Sequence, residues 1–244
     1  MATPAKTALI TGAGSGIGRG IAEALDGLGL RLALVGRELS KLEQTRERLR
    51  QAAGEAVLVS CDVANRAQVG AMVEEVSAAL GSIDVLVCNA GTNVRNRSLE
   101  QLDPADWDRM IATNLTGAFN LVHYVLPGMR QRGGGLVIQI DSVSGKRASI
   151  LGGAGYSASK FGQAALGICI GREEGSKGIR STVIYPGEVN TPILDARPVP
   201  VGAERREVIL QPADIGAAVR FLVELHPRAS VPELVIKPTV DDFC

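Results

Sequence analysis

Short apolar runs alternate along the chain with longer amphipathic stretches. Seven runs have strand length: Thr7–Thr11, Arg31–Val35, Ala56–Cys61, Val85–Asn89, Gly135–Ile140, Ile179–Tyr185 and Glu233–Ile236. Several, such as IDVLV and GLVIQI, are apolar without polar alternation, as expected of strands covered on both faces of a parallel sheet. Helical stretches fit between them. Ser40 can N-cap a charged helix over Lys41–Gln51, and Asn65 can cap another over Arg66–Leu80. A third helix is expected over Pro104–Arg132, a fourth over Tyr156–Glu174, and a last from Pro212 through Leu225. This rhythm predicts repeated βαβ units and an α/β fold with one doubly wound parallel sheet of about seven strands, flanked by helices on both faces.

One segment breaks the rhythm. Thr191–Pro212 (TPILDARPVPVGAERREVILQP) is long for a connection between strand and helix and reads as a loop covering a site, not a domain linker. With 244 residues and no internal repeat, the chain reads as one domain over 1–244. Its 26 basic residues balance 26 acidic ones, so no bulk field draws it to nucleic acid or an anionic membrane. The opening MATPAKTALITG reaches glycine-rich sequence too soon for a signal-peptide core, and no run of about eighteen apolar residues occurs, so a cytoplasmic protein is expected. Cys61, Cys88, Cys169 and Cys244 form no C-x-x-C, and His123 and His226 stand in no motif. Neither a metal site nor a Ser-His-Asp hydrolase is expected from them.

The first strand ends in Thr11-Gly12-Ala13-Gly14-Ser15-Gly16-Ile17-Gly18, with a helix expected to start near Ile17 or Gly18. A strand feeding a glycine turn and then a helix N-terminus is an anion site: N–H groups converge, and the missing Cβ atoms admit a pyrophosphate. The spacing is T-G-x-x-x-G-x-G, since Ile17 stands where G-x-G-x-x-G needs its third glycine. No G-x-x-x-x-G-K-[ST] is present, which disfavours a nucleoside-triphosphate loop. A Rossmann-type dinucleotide-binding domain follows. The second strand ends Val35-Gly36-Arg37-Glu38, without the acidic residue at its tip that usually accepts from the NAD ribose. Arg37 can fork onto a 2′-phosphate, favouring NADP(H) over NAD(H), although Glu38 could still serve a ribose.

Tyr156-Ser-Ala-Ser-Lys160 places a phenol and an ammonium on one helical face. Free tyrosine titrates near 10, and a cation within ~4–6 Å can lower such a group by about 1–3 units. A tyrosine so lowered could give a proton to a carbonyl, or take one from an alcohol, as a hydride moves. Alone, the spacing Y-x-x-x-K is a weak signal.

Its surroundings strengthen it. From Thr7 to about Lys237 the chain resembles the short-chain dehydrogenase/reductase family. The loop motif is Thr11–Gly18; Asp62 and Val63 follow the third strand; Asn89-Ala90-Gly91 ends the fourth; Asn114 stands in a helix; Ser142 leads Asp141-Ser142-Val143-Ser144-Gly145; Tyr156 and Lys160 follow; and Pro186, Gly187, Val189 and Thr191 form P-G-x-V-x-T. The resemblance implies an NAD(P)-dependent oxidoreductase acting on a small carbonyl or secondary alcohol. In that reading Ser142 hydrogen-bonds the substrate carbonyl, Tyr156 is the acid and base, and Lys160 holds the nicotinamide ribose and tunes Tyr156. Asn114 kinks its helix and seats a proton-relaying water. Gly12, Ser15, Gly16, Ile17 and Gly18 take the pyrophosphate, Asp62 contacts the adenine, Val63, Asn89, Ala90 and Gly91 also bind the cofactor, and Pro186, Gly187, Val189 and Thr191 line the carboxamide. Three features depart from the pattern. Cys88 stands where asparagine is common, Ser144 is a second serine near Ser142, and the C-terminus lacks V-D-G-G. A dinucleotide-binding regulatory protein and a lyase or isomerase with bound cofactor remain as alternatives.

By the same resemblance, substrate meets Thr92–Ser98, Ser144–Gly155 and Ile193–Leu210. Arg95, Arg97, Lys146 and Arg147 give the first two a basic cast, which suits a carboxylate-bearing substrate or a set of solvated loop charges. The fourth helix is apolar or small on most sides, so one face would need a partner. A homodimer or homotetramer built on this helix and Asp106–Arg132 is expected.

Overall fold

All seven apolar runs form strands in the computed structural model, which describes residues 7–50 and 56–241. They are β1 (Thr7–Thr11), β2 (Arg31–Gly36), β3 (Val57–Ser60), β4 (Val85–Cys88), β5 (Gly135–Ile140), β6 (Ile179–Pro186) and β7 (Glu233–Ile236). They form one sheet in the order β3-β2-β1-β4-β5-β6-β7, and every pairing is parallel. The order reverses between β1 and β4. A crevice opens at such a switch point, beyond the carboxyl ends of the strands.

The helices are α1 (Gly16–Asp26), α2 (Leu39–Arg46), α3 (Arg66–Leu80), α4 (Pro104–Met110), α5 (Gly117–Arg132), α6 (Ala154–Glu174), α7 (Ala203–Val208) and α8 (Pro212–Glu224). Asn65 caps α3 as expected, its side chain accepting from the Gln68 N–H at 3.1 Å. Ser40 does not cap α2. The helix starts at Leu39 with Glu38 in extended conformation, a phase that turns Leu42 and Thr45 into the core. The expected end at Gln51 lies outside the described residues, as does Cys244. The long helix over 104–132 is interrupted by a π-helical segment, Ile111–Thr116, centred on Asn114. Thr191–Pro212 carries more structure than a loop: a 3-10 turn at Pro192–Ala196, then α7.

Side chains alternate across each strand, so each face of the sheet has its own core. Leu9 packs with Met72 and Val76 of α3 and Leu121 and Val125 of α5. Ala8 and Ile10 face the opposite layer, with Ile21 and Leu25 of α1 and Ile215 and Val219 of α8. The small residues of α6 are partly spent on this packing. A Cβ on Gly167 would stand 2.4 Å from Val183, and one on Gly162 would stand 2.7 Å from Leu115. No described helix is long and apolar enough to cross a membrane.

Candidate active site

A cleft of about 1320 Å³ runs along the carboxyl ends of the strands from Arg37 to the lid at 191–212. Its floor begins at the glycine loop. Gly12 and Gly16 take positive φ of 64° and 50°, and a Cβ on Gly18 would stand 2.2 Å from the Gly12 carbonyl oxygen. The three motif glycines thus serve two turns and one close approach, which explains the x-x-x and x spacing between them. Ser15 precedes α1 with no side-chain cap bond, and the first turn holds no acidic residue, so the positive end of α1 is left for an anion. On the other side, Arg19 donates to the Gly14 carbonyl at 2.6 Å and Thr45 to the Ala13 carbonyl at 2.9 Å. Neither anchor was visible as a motif.

At the β2 end, Arg37, Glu38 and Lys41 line the cleft. Glu38 is occupied by Lys41 at 2.7 Å, while no described carboxylate pairs with Arg37. Across from them are Asp62, whose Oδ1 accepts the Ala64 N–H at 3.0 Å, and Val63.

Asn89 joins β4 to the loop by donating to the Thr11 and Gly12 carbonyls at 2.8 and 3.3 Å. Beyond Ala90 and Gly91, the chain is clamped by the fully buried Asn114. Its Oδ1 accepts the Thr92 N–H at 2.7 Å, and its Nδ2 donates to the Thr92 carbonyl at 3.0 Å and to Ser159 Oγ at 2.9 Å. The π segment positions this side chain, which fixes the loop after β4 to the second turn of α6.

Ser142, Tyr156 and Lys160 converge in the cleft. Ser142 Oγ accepts the Ser144 N–H at 3.1 Å. Lys160, buried, donates to the Ile140 carbonyl and to Gln163 Oε1, each at 2.8 Å, and its Nζ lies 5.7 Å from the centre of the Tyr156 ring. The expected lowering of the phenol by this lysine is not what the protein alone produces. Burial pushes Tyr156 up to about 12, Asp141 pushes it further, and Ser142 and Arg97 pull it down. Burial also pulls Lys160 down, against the opposing pull of Asp141.

Two charged neighbours join them: Asp141, to which the motifs gave no role, and Arg97, named above only as one of four basic residues. Asp141 is buried, its Oδ1 accepting the Ser142 N–H at 2.7 Å and its Oδ2 without a partner; burial raises its carboxyl to about 7. Arg97 is buried on the substrate side. The signal for Asp141 was present, since an acid inside an apolar strand end is unusual.

Pro186, Gly187, Val189 and Thr191 line the far wall, and the Gly187 N–H donates to the Ile236 carbonyl at 2.7 Å. The lid above them is pinned by ion pairs. Glu188 holds Arg197 and Arg205, Arg205 also reaches Asp241, and Arg206 meets Asp195 at 2.7 Å. Of the expected site residues, only Gly18 and Asn114 stand behind the cleft wall, each supporting it from within.

The profile of the short chain dehydrogenase family matches residues 6–199. A glycine betaine reductase from Emericella nidulans is 33% identical over 96% of this chain, which spans only 19% of that relative's length. The alcohol dehydrogenase of Thermococcus sibiricus, solved with 5-hydroxy-NADP, superimposes with a TM-score of 0.86 at 31% identity, covering 97% of this chain and 98% of that one. The 3-ketoacyl-(acyl-carrier-protein) reductase of Brucella melitensis, solved with NADH, gives 0.87 at 26% identity over 97% and 98%.

Proposed function

The chain belongs to the short-chain dehydrogenase family of nicotinamide-dependent oxidoreductases, and on that premise we propose that it interconverts a carbonyl and a secondary alcohol using NADP(H), with Tyr156 as acid and base. The observation that carries this reading is the convergence of Ser142, Tyr156 and Lys160 in the cleft that also contains the glycine loop.

The residues fit such a cofactor. The glycine loop leaves the open end of α1 to a pyrophosphate. Arg37 has no carboxylate partner among the described residues, and Glu38 is paired with Lys41, so a 2′-phosphate would meet one net positive charge, that of Arg37. An ammonium has three N–H donors, and Lys160 uses two on protein, leaving one for a ribose hydroxyl. When bound, the reduced nicotinamide supplies a hydride to the carbonyl carbon, and its oxidised form takes one from the alcohol.

The protein's part is positional and protonic. Ser142 donates to the carbonyl oxygen and orients it. Tyr156 gives its proton to that oxygen in reduction and recovers one in oxidation. Lys160 holds the ribose and adds positive charge beneath the ring. Asn114 is a positioning residue, fixing Thr92 against α6. A positioned acid of this kind contributes about 10²–10⁴-fold in rate.

The exposed face of α6, with Ala158, Phe161, Ala165 and Cys169, continues into Trp107 and Phe119 and supports a homodimer or homotetramer. Light scattering at micromolar concentration tests this, and a monomer contradicts it. For the activity, NADPH and NADH are compared with a panel of ketones and aldehydes by loss of reduced-nicotinamide absorbance. Turnover favouring NADPH supports the reading; no turnover with either cofactor contradicts it.

A further inference from the structure

Arg97 is 5% exposed, lines the substrate end of the cleft, and has no carboxylate within ion-pair distance among the described residues. Its Nε donates to the Val94 carbonyl at 2.7 Å, Nη1 to Leu151 at 2.9 Å and Nη2 to Ala196 at 2.6 Å. These bonds tie together the three segments that enclose the substrate. Carbonyl dipoles only partly offset a buried guanidinium, and a cation out of water is stable chiefly when an anion accompanies it.

The neighbouring carboxylates are already taken. In the lid, Glu188, Asp195 and Asp241 are taken by Arg197, Arg205 and Arg206. Lys146 turns away to Glu233 at 2.7 Å, Arg109 pairs with Asp106 at 2.7 Å, and the exposed Arg95 donates to the Asp195 carbonyl. The first turn of α6 offers no acid either. Among the described residues, Arg97 is a buried cation of this cleft with no carboxylate in ion-pair range.

We propose, building on the oxidoreductase reading, that the substrate carries a carboxylate close to its reacting carbonyl and that Arg97 binds it. A guanidinium has five N–H donors, and three are spent, leaving one on each terminal nitrogen, the pair a carboxylate accepts side by side. The stem of Arg97 packs on Gly153, where a Cβ would stand 2.8 Å from the Arg97 Cβ, and Gly153 precedes α6. Tyr156 stands in the first turn of that helix, so Arg97 and the phenol line the same cleft. The Arg97 charge acts on the phenol directly. A short 2-oxo or 3-oxo acid, or its hydroxy acid, offers a carbonyl to the phenol and a carboxylate to the guanidinium; a quaternary-ammonium carbonyl would meet a like charge. In the reduction, the oxo carbon gains the hydride from NADPH, its oxygen gains the Tyr156 proton, and the carboxylate is unchanged.

The test compares pyruvate and acetoacetate with their methyl esters, using NADPH and the full chain as wild type, Arg97→Met and Arg97→Lys. The acids should exceed their esters in kcat/KM by about tenfold or more. Arg97→Met should bring the acid-to-ester ratio of kcat/KM to about one, and Arg97→Lys should keep part of the preference. In parallel, butyrate but not butyramide should perturb the fluorescence of Trp107, the one tryptophan, in wild type with NADP⁺ bound, and not in Arg97→Met. Equal use of acid and ester, or equal loss of both in Arg97→Met, overturns the proposal and leaves the oxidoreductase reading intact. Butyrate binding that depends on Arg97 without turnover of any ketone supports the anion site and overturns the oxidoreductase reading. Absence of both butyrate binding and acid turnover overturns the proposal.

Discussion

Lys160 sits beside Tyr156 without reaching its hydroxyl: its Nζ lies 5.7 Å from the ring centre and is held at 2.8 Å by the Ile140 carbonyl at the end of β5. The four-residue spacing puts both groups on one face of α6, but the strand end decides where the ammonium points. In the protein alone, burial dominates and the phenol is pushed up to about 12. Ser142 and Arg97 pull it down, and under the proposed role of Tyr156 the positive charge of a bound oxidised nicotinamide would add to that lowering.

Asp141 works against that lowering. Asp141→Asn removes a negative charge that raises Tyr156. Alcohol oxidation needs the deprotonated phenol and so rises with pH; its rising limb should move to lower pH by about one unit, while carbonyl reduction at neutral pH changes little. The variant also changes stability. A carboxyl raised in the fold from 3.8 to about 7 leaves stability intact below about pH 4 and erodes it as pH rises through 7. Asp141→Asn should therefore be more stable than wild type at pH 8, by roughly 1–3 kcal/mol, and should lose that advantage at pH 4. Urea melts at the two pH values check this; an equal difference at both contradicts it.

Gly18→Ala forces a Cβ to within 2.2 Å of the Gly12 carbonyl oxygen, a backbone atom that cannot step aside without opening the loop. NADPH affinity should fall by at least about tenfold, with a loss of a few kcal/mol in stability. Cofactor titration by fluorescence measures the first effect.

Arg37→Ala removes a charge-assisted bond to the 2′-phosphate, worth about 1.5–3 kcal/mol. The KM for NADPH should rise roughly 10–100-fold while that for NADH stays within about threefold. Equal effects on both cofactors would show that Arg37 does not read the phosphate.

Glu174 is buried at the end of α6, bound by Arg130 at 2.9 and 2.8 Å and by Lys177 at 3.1 Å, and these cations hold its carboxyl down to about 2. Its contribution is present above about pH 4.5 and fades as pH falls toward 2. Because the cations are half exposed, Glu174→Gln should cost only about 1–2 kcal/mol at pH 7 and lower Tm by a few degrees. Calorimetry measures it, and an unchanged Tm contradicts it.

The sheet was readable because continuous apolar runs of strand length permit few alternatives, and β1, β5 and β7 have the expected ends. The start of α2 was not, since Ser40 is a good cap on local grounds and loses to the burial of Leu42. The π turn at Asn114 and the helical turns of the lid depend on tertiary partners: Thr92 and Ser159 for the first, Arg97 and Glu188 for the second. Candidate site residues stood out where spacing carries the chemistry, as at Gly12, Gly16, Gly18, Tyr156 and Lys160. Arg19, Thr45, Asp141 and Arg97 act through contacts of shape and charge that leave no repeating pattern in the chain.

The most direct test of the central claim is Tyr156→Phe, which removes one oxygen and leaves the cleft's shape. With a ketone that the wild type reduces, kcat should fall by about 10²–10⁴-fold while the Kd for NADPH stays within about threefold. Retention of kcat within a few-fold of wild type would contradict Tyr156 as the acid and base.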